Sequence, residues 1–337
     1  MYRPNHTRKH AAVYLIRWYA GKRNVHFLRK SRRIRSLWEN NMDLIEKAIE
    51  RLKIGEQTSL MYYNKPLMIC YSGGKDSDVL IELAKIANIN FEVVHSHTTA
   101  DAPETVIYIR KRFHSLETDG IRCSITYPVF KSKPTSMWDL IVQKKIPPTR
   151  LMRYCCDVLK ETSGKTRAVA TGVRWAESQR RKSRGIYEDI SKNKENRIIL
   201  NNDNDDKRRW FERCELNAKT VINPIIDWED TDVFDFLKEQ ICELNPLYGC
   251  GFHRIGCIGC PMAGKKMRYM EFRRYPKYEQ LYIHAFDRMI ETRQSNDMVN
   301  TWQTGYDVFR WWLEEDFNQY ELSDEYYMQE EKKKEVQ

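Results

Sequence analysis

No stretch of the chain approaches the ~20 consecutive apolar residues that a membrane helix needs, and the run Ala11 to Ala20 is interrupted by Arg17. No membrane association is therefore expected. The first thirty residues lack the long apolar core and small-residue cleavage site of a secretory signal, so the expected location is cytoplasmic. The phosphate-binding pattern G-x-x-x-x-G-K-[ST] is missing, and no internal repeat is apparent. Acidic residues are absent from residues 1–36, and cysteine is absent after Cys260. Each of these gaps narrows the reading of what is present.

The 337 residues, 41% of them hydrophobic, suffice for one large or two modest domains with a real core. Net charge is +10, and the eleven Lys or Arg of residues 1–36 more than account for it. With Tyr2, Tyr14, Trp18, Tyr19 and Phe27 interleaved, this arm could contact nucleic acid through phosphates and stacking. A basic helical cap packed on the protein is the alternative. Nine cysteines in an intracellular chain point to metal ligands, redox groups or small buried residues rather than disulfides. The sequence sets no oligomeric state.

The chain is organised around Met68 to Leu83. Pro66 to Tyr71 forms a short apolar run, and Val79, Leu80, Leu83, Ala84 and Ala87 follow at helical spacing. Between them lie Ser72, Gly73, Gly74, Lys75, Asp76 and Ser77. Two glycines allow a tight turn and close backbone approach, and the first N–H groups of the helix point at whatever occupies the turn. Lys75 adds a point charge, and the Ser72 and Ser77 hydroxyls add neutral donors. The expected ligand is phosphate or pyrophosphate.

Along the chain, Asn40 to Leu52 reads as an amphipathic helix and Gly55 to Asn64 as a connecting loop. Phe91 to His95 is a second strand, ending in polar Ser96 to Asp101, where open parallel sheets place ligands. Asp101 and Glu104 have capping-box character, with Pro103 in the first turn of a helix reaching Phe113. Ile121 to Thr126 and Ala168 to Val173 are further strands, and Ser136 to Val142 is a short helix. Alternating strands and helices predict an α/β fold with a doubly wound, mostly parallel sheet. Residues 175–220 read as an irregular insertion. Asp230 to Glu239 is a helix with Val233, Phe234 and Leu237 on one face. Helices Tyr269 to Thr292 and Tyr306 to Phe317 form a C-terminal helical part, followed by a solvated tail. The expected division is 1–60 basic arm, 61–264 nucleotide-binding domain, and 265–337 helical region and tail.

Cys155 and Cys156, with Cys257 and Cys260 about a hundred residues on, supply two thiolate pairs. Four soft ligands suit zinc or iron–sulfur. Adjacent cysteines are awkward for one tetrahedral zinc, because neighbouring side chains diverge, whereas a cube of separate irons receives them at different corners. Cys250 is a rival fourth ligand.

SGGKDS at 72–77 resembles the PP-loop of the adenine nucleotide alpha-hydrolase-like superfamily. Together with RYCCDVLKE at 153–161, TGVRWAES at 171–178, INPIIDW at 222–228 and NPLYGCGFHRIGCIGCP at 245–261, it resembles the phosphoadenosine phosphosulfate reductase family. The resemblance spans Asn64 to Pro261. It implies an enzyme binding ATP or an adenylyl-sulfate nucleotide on Ser72 to Ser77 and Gly172, with Mg2+ and with Lys75, Asp76 and Arg174 as catalytic residues. Arg180 and Arg181 are further candidates on the substrate side. It also implies a [4Fe-4S] cluster on Cys155, Cys156, Cys257 and Cys260. Reductases of the family carry a nucleophilic cysteine in a C-terminal Glu-Cys-Gly segment, and this chain has no match to it. The pattern is thus also similar to the DNA phosphorothioation ATP pyrophosphatases, implying ATP α–β cleavage, acceptor adenylylation and a sulfur-donor protein. A reductase using an external thiol, Cys123 or Cys214 is the alternative, as is a non-catalytic nucleic-acid-binding protein.

Overall fold

The structure, a computed structural model, describes residues 32–160, 164, 166–190, 198–200 and 219–314. Most of the basic arm, Cys214 and the C-terminal tail lie outside the described residues. Contacts divide the chain into 1–46 and 47–337. Within the first unit, the described residues begin helix α1 (Arg32–Tyr63); all that follows belongs to the second.

Helix α1 runs through the stretch Gly55 to Asn64 that reads as a loop. Gly55 serves packing here, since a Cβ on it would lie 3.3 Å from Leu67 Cδ2 and 3.4 Å from Ile222 Cγ1. The Thr58 hydroxyl donates to the Ile54 carbonyl within the helix (2.8 Å).

A seven-stranded sheet follows, in the order β3-β2-β1-β6-β9-β7-β8. Strands β1 (Leu67–Cys70), β2 (Phe91–Ser96), β3 (Cys123–Thr126), β6 (Ala168–Ala170) and β9 (Lys219–Ile222) are parallel. Helix α2 (Lys75–Ala87) joins β1 to β2, and α3 (Pro103–Thr118) joins β2 to β3. A small antiparallel pair, β4 (Val129–Phe130) and β5 (Lys133–Pro134), precedes α4 (Met137–Lys144) and α5 (Tyr154–Leu159). The doubly wound, mostly parallel sheet is the one the alternation of elements predicts.

The insertion is less irregular than its polarity implies. Strands β7 (Tyr187–Ile190) and β8 (Ile198–Leu200) extend the sheet antiparallel beyond β9. Glu188 hides the strand signal, yet it is fully buried and accepts from Arg184 Nε, Gly185 N and Asn223 Nδ2. Those hydrogen bonds offset the desolvation of the buried carboxylate and let it sit in a sheet.

Three corrections concern helices. Asp101 does not cap α3: the N-cap is Ala102, the Asp101 carboxylate instead accepts from Thr98 N (2.8 Å), and Glu104 binds Arg274 and Tyr275. In α6 (Asp230–Glu239) the buried residues are Val233, Phe236 and Leu237, whereas Phe234 is exposed. The stretch Tyr269 to Thr292 is two helices, α7 (Lys265–Arg274) and α8 (Pro276–Gln294). Pro276 has no N–H to continue α7 and forces Tyr275 out of helical geometry (φ −123°, ψ 67°).

Helix α9 (Gly305–Glu314) completes an aromatic core with α4, α7 and α8. Tyr282 and Trp312 stack 4.6 Å apart, and Trp312 Nε1 donates to Pro148 O. Among the described residues, no helix is long and apolar enough to cross a membrane.

Candidate nucleotide and cysteine site

Strand order reverses between β1 and β6, the place where open parallel sheets leave a crevice at their carboxyl ends. The Ser72 to Ser77 loop leaves β1, and Thr171 to Arg174 leaves β6. The two loops touch: a Cβ on Gly172 would lie 3.0 Å from the Asp76 carbonyl carbon. Gly73 has φ +74°, and a Cβ there would meet Ile109 Cγ1 at 2.9 Å, so both backbone and packing require glycine. Gly74 is extended (φ −105°, ψ 160°) and caps α2. The Ser77 hydroxyl donates to Gly74 O (2.7 Å) and lies 3.3 Å from Ser72 Oγ, bracing the turn.

Four charged side chains meet over this loop. Arg174 is 1% exposed; its Nε donates to Asp76 Oδ1 (2.7 Å), Nη2 to Asp230 Oδ1 (2.7 Å) and Nη1 to Trp228 O (3.2 Å). Lys75 Nζ lies 3.2 Å from Asp76 Oδ1 and 3.0 Å from Asp230 Oδ1. The two carboxylates therefore share the two cations. Arg181 pairs with Glu177 rather than with either of these carboxylates.

Sequence reasoning placed none of Asp230, Phe234, Tyr248 or Asn245 in the site. The Lys75 N–H, among the helix N–H groups without an intrahelical acceptor, donates to Tyr248 Oη (2.9 Å). Phe234 packs edge-on to Tyr248 and beneath Lys75 Nζ. Asn245 Nδ2 donates to Gly73 O (3.0 Å) and Thr105 Oγ1. The Tyr248–Lys75 and Asn245–Gly73 contacts join residues some 170 positions apart, and only the motif NPLYG hinted at them.

The segment holding Tyr248 continues into the Cys257–Cys260 turn. Gly259 (φ +72°) donates its N–H to Glu271 Oε2 (2.7 Å), and Tyr282 Oη donates to Ile258 O (2.9 Å), so α7 and α8 fix the turn. Burial pushes the Glu271 carboxyl up to about 7 and the Cys257 thiol up to about 11. Cys155 and Cys156 start α5. A hydrogen bond from Cys155, then Lys160 and Arg153, lower the Cys156 thiol to about 5. The charges of Cys257, Cys260 and Cys156 in turn raise Lys160. These four cysteines act on one another, whereas Cys250 is exposed. Among the described residues no three cysteine sulfurs lie within 4.8 Å of one another. One zinc with Zn–S bonds of ~2.3 Å would draw all four within about 3.8 Å. The donor set fits a polynuclear cluster with separate iron corners. All eight described cysteines are free thiols; Cys123 opens β3, and Cys242 follows α6.

The model of the phosphoadenosine phosphosulfate reductase domain matches residues 66–263. The chain belongs to this family. Among its relatives, a protein of Methanocaldococcus jannaschii of unassigned function is 28% identical over 79% of this chain and 55% of its own length. The adenosine 5'-phosphosulfate reductase of Burkholderia cepacia is 28% identical over 34% of this chain and 38% of its own. The chain thus spans about half, or less, of the curated relatives it matches. Among solved structures, the phosphoadenylyl-sulfate reductase of Candida auris shares 15% identity over 65% of this chain and 94% of that one, with a TM-score of 0.40. The U34-tRNA thiolase of Methanococcus maripaludis, solved with its [4Fe-4S] cluster, shares 12% identity over 77% of this chain and 82% of that one, with a TM-score of 0.39.

Proposed function

We propose that this family member is a PP-loop enzyme that cleaves ATP between its α- and β-phosphates, adenylylates an acceptor and thereby opens it to sulfur transfer. The observation that carries the reading is the cluster of Lys75, Arg174, Asp76 and Asp230 over the glycine turn at the sheet's switch point. Two cations held by two carboxylates form a preorganised, nearly neutral group. An incoming polyphosphate competes for Lys75 and frees carboxylate oxygens.

An acceptor oxygen attacks the α-phosphorus, the bond from that phosphorus to the β-bridging oxygen breaks, and pyrophosphate departs with the electron pair. The acceptor's proton passes to solvent. Lys75 and the first N–H groups of α2 take the charge that builds on the leaving pyrophosphate. Tyr248 Oη marks where a phosphate oxygen accepts from the Lys75 N–H. Arg174 holds Asp76 and Asp230 in register and adds positive charge beside the α-phosphate. Asp76 and Asp230 would hold a Mg2+ ion, which would supply further charge neutralisation. Cys155, Cys156, Cys257 and Cys260 would hold a [4Fe-4S] cluster, which would supply a place to bind sulfur or deliver electrons next to Lys160. Sulfur arrives from a donor protein in the reducing cytoplasm, and the basic arm offers contacts to a nucleic-acid acceptor.

The test is pyrophosphate release from ATP by anaerobically purified protein given nucleic-acid acceptors, with Lys75→Ala as control. Release that vanishes in the variant is expected. Thioredoxin-dependent sulfite formation from adenylyl sulfate, without pyrophosphate release from ATP, would overturn the reading in favour of a reductase.

A further inference from the structure

At the carboxyl end of β2, beside the cysteine site, His95, His97 and Asp101 bring three ligand atoms within 4.8 Å of one another. His97 Nδ1 lies 3.4 Å and His95 Nε2 4.0 Å from Asp101 Oδ2. Donors at ~2.0–2.1 Å from one tetrahedral ion stand about 3.3 Å apart, so small side-chain movements complete the shell.

The hydrogen bonds select the ligating form. His95 Nδ1 lies 2.9 Å from the Tyr71 carbonyl, which can only accept, so Nδ1 carries the proton and Nε2 presents its lone pair. A carbonyl behind the distal nitrogen is the usual support of a metal-bound imidazole. His95 is 5% exposed, and its Nε2 has no hydrogen-bond partner. A buried polar atom left unsatisfied is costly unless something fills the place. Burial also favours the neutral ring.

Asp101 is equally prepared. Its Oδ2 accepts from the Thr98 N–H (2.8 Å) and lies 3.4 Å from His97 Nδ1, so the carboxylate is held facing both imidazoles. The loop between the ligands is fixed at a strained residue: Thr99 has φ +65°, unusual for a β-branched side chain, and its hydroxyl accepts from Met137 N (2.8 Å).

We infer that His95, His97 and Asp101 form a binding site for a borderline divalent cation, Zn2+ in the first place, distinct from the four cysteines. Two imidazoles and one carboxylate favour Zn2+ over the oxygen-seeking Mg2+ or Ca2+. Three protein ligands leave a position for water or an anionic group of a substrate. His97, a quarter exposed, stands on the solvent side.

The experiment is metal analysis of anaerobically prepared protein from Zn2+-supplemented cells, with Co2+ exchange. About one zinc per chain is expected, lost in His97→Ala and Asp101→Asn with iron unchanged, and kept in Cys155→Ser, which loses iron. Co2+ should give ligand-field bands without thiolate charge transfer. Wild-type protein that takes up neither zinc nor Co2+ overturns the site, as does zinc unchanged in both variants. Should the variants fail to fold, the wild-type Co2+ spectrum decides, and a thiolate-dominated spectrum rejects the proposal.

Discussion

Replacing Arg174 by methionine tests the charged knot over the loop. The side chain is 1% exposed and makes three hydrogen bonds, two of them to carboxylates at 2.7 Å. Removing one partner of a fully buried ion pair costs about 3–5 kcal/mol, because the survivor is left in low dielectric. Here the survivors are better placed: the Asp76 side chain is 21% and Asp230 70% exposed, and Lys75 Nζ stays within 3.2 Å of both. Discounting for that solvent access, and at about 1.5 kcal/mol per charged hydrogen bond, Arg174→Met should cost about 2–3 kcal/mol. For a domain of this size that lowers Tm by about 4–12 °C. Arg174→Lys keeps the charge but cannot fork between two carboxylates, so about half the loss is expected. Urea unfolding followed by tryptophan fluorescence reads the stability, and calorimetric titration with ATP reads the loop. Arg174→Met with an unchanged urea midpoint and unchanged ATP affinity would refute the view that this residue holds the site together.

Two further outcomes follow from the same region. Gly73→Ala forces a left-handed residue and a Cβ 2.9 Å from Ile109 Cγ1, so a stability loss of about 2–4 kcal/mol is expected. Gly74→Ala, at an ordinary φ and 3.3 Å from Tyr248 Oη, should leave stability within ~1 kcal/mol yet weaken ATP binding; equal effects on Tm in the two variants would contradict this. Asp78 is fully buried with Tyr71 and Tyr108 hydroxyls donating to it, and burial raises its pKa from 3.8 to about 7. The folded state therefore binds the proton more tightly, so this contribution is fully present below pH 3.8 and is lost as pH rises to about 7. Asp78→Asn should flatten the decline between pH 4 and 7 in urea midpoints, and an unaltered slope would reject the assignment.

The legible parts of the fold were those set by local pattern. The apolar strand, glycine turn and helix at 67–87 declare themselves, and Asp230 to Glu239 forms a helix over that very span. What stayed hidden depends on distant partners. Gly55 looks like a loop residue until Ile222 is seen to need the space, and Glu188 looks like surface until Arg184 and Asn223 surround it. Phe234 sits with Val233 and Leu237 in sequence, but the helix turns it toward Lys75. Tyr248 and Asp230 join the site only when separate loops meet, and periodicity carries no trace of such meetings.

The backbone joins the histidine loop to the cysteine turn: Asp101 and Cys257 form an antiparallel bridge, Ile258 N donates to Ala100 O (2.8 Å), and Cys257 Sγ donates to Thr98 Oγ1 (3.3 Å). Two segments sharing a ladder cannot be ordered independently. Whichever site is occupied first bears most of the conformational entropy of ordering both, and the second ligand meets a framework already set. Thermodynamic reciprocity then requires that the factor by which one occupant strengthens the other be identical in either order of addition. If both proposed sites are filled, loss of iron should weaken zinc binding at the histidine loop without abolishing it, and slow hydrogen exchange at the Ile258 amide would report on both sites at once.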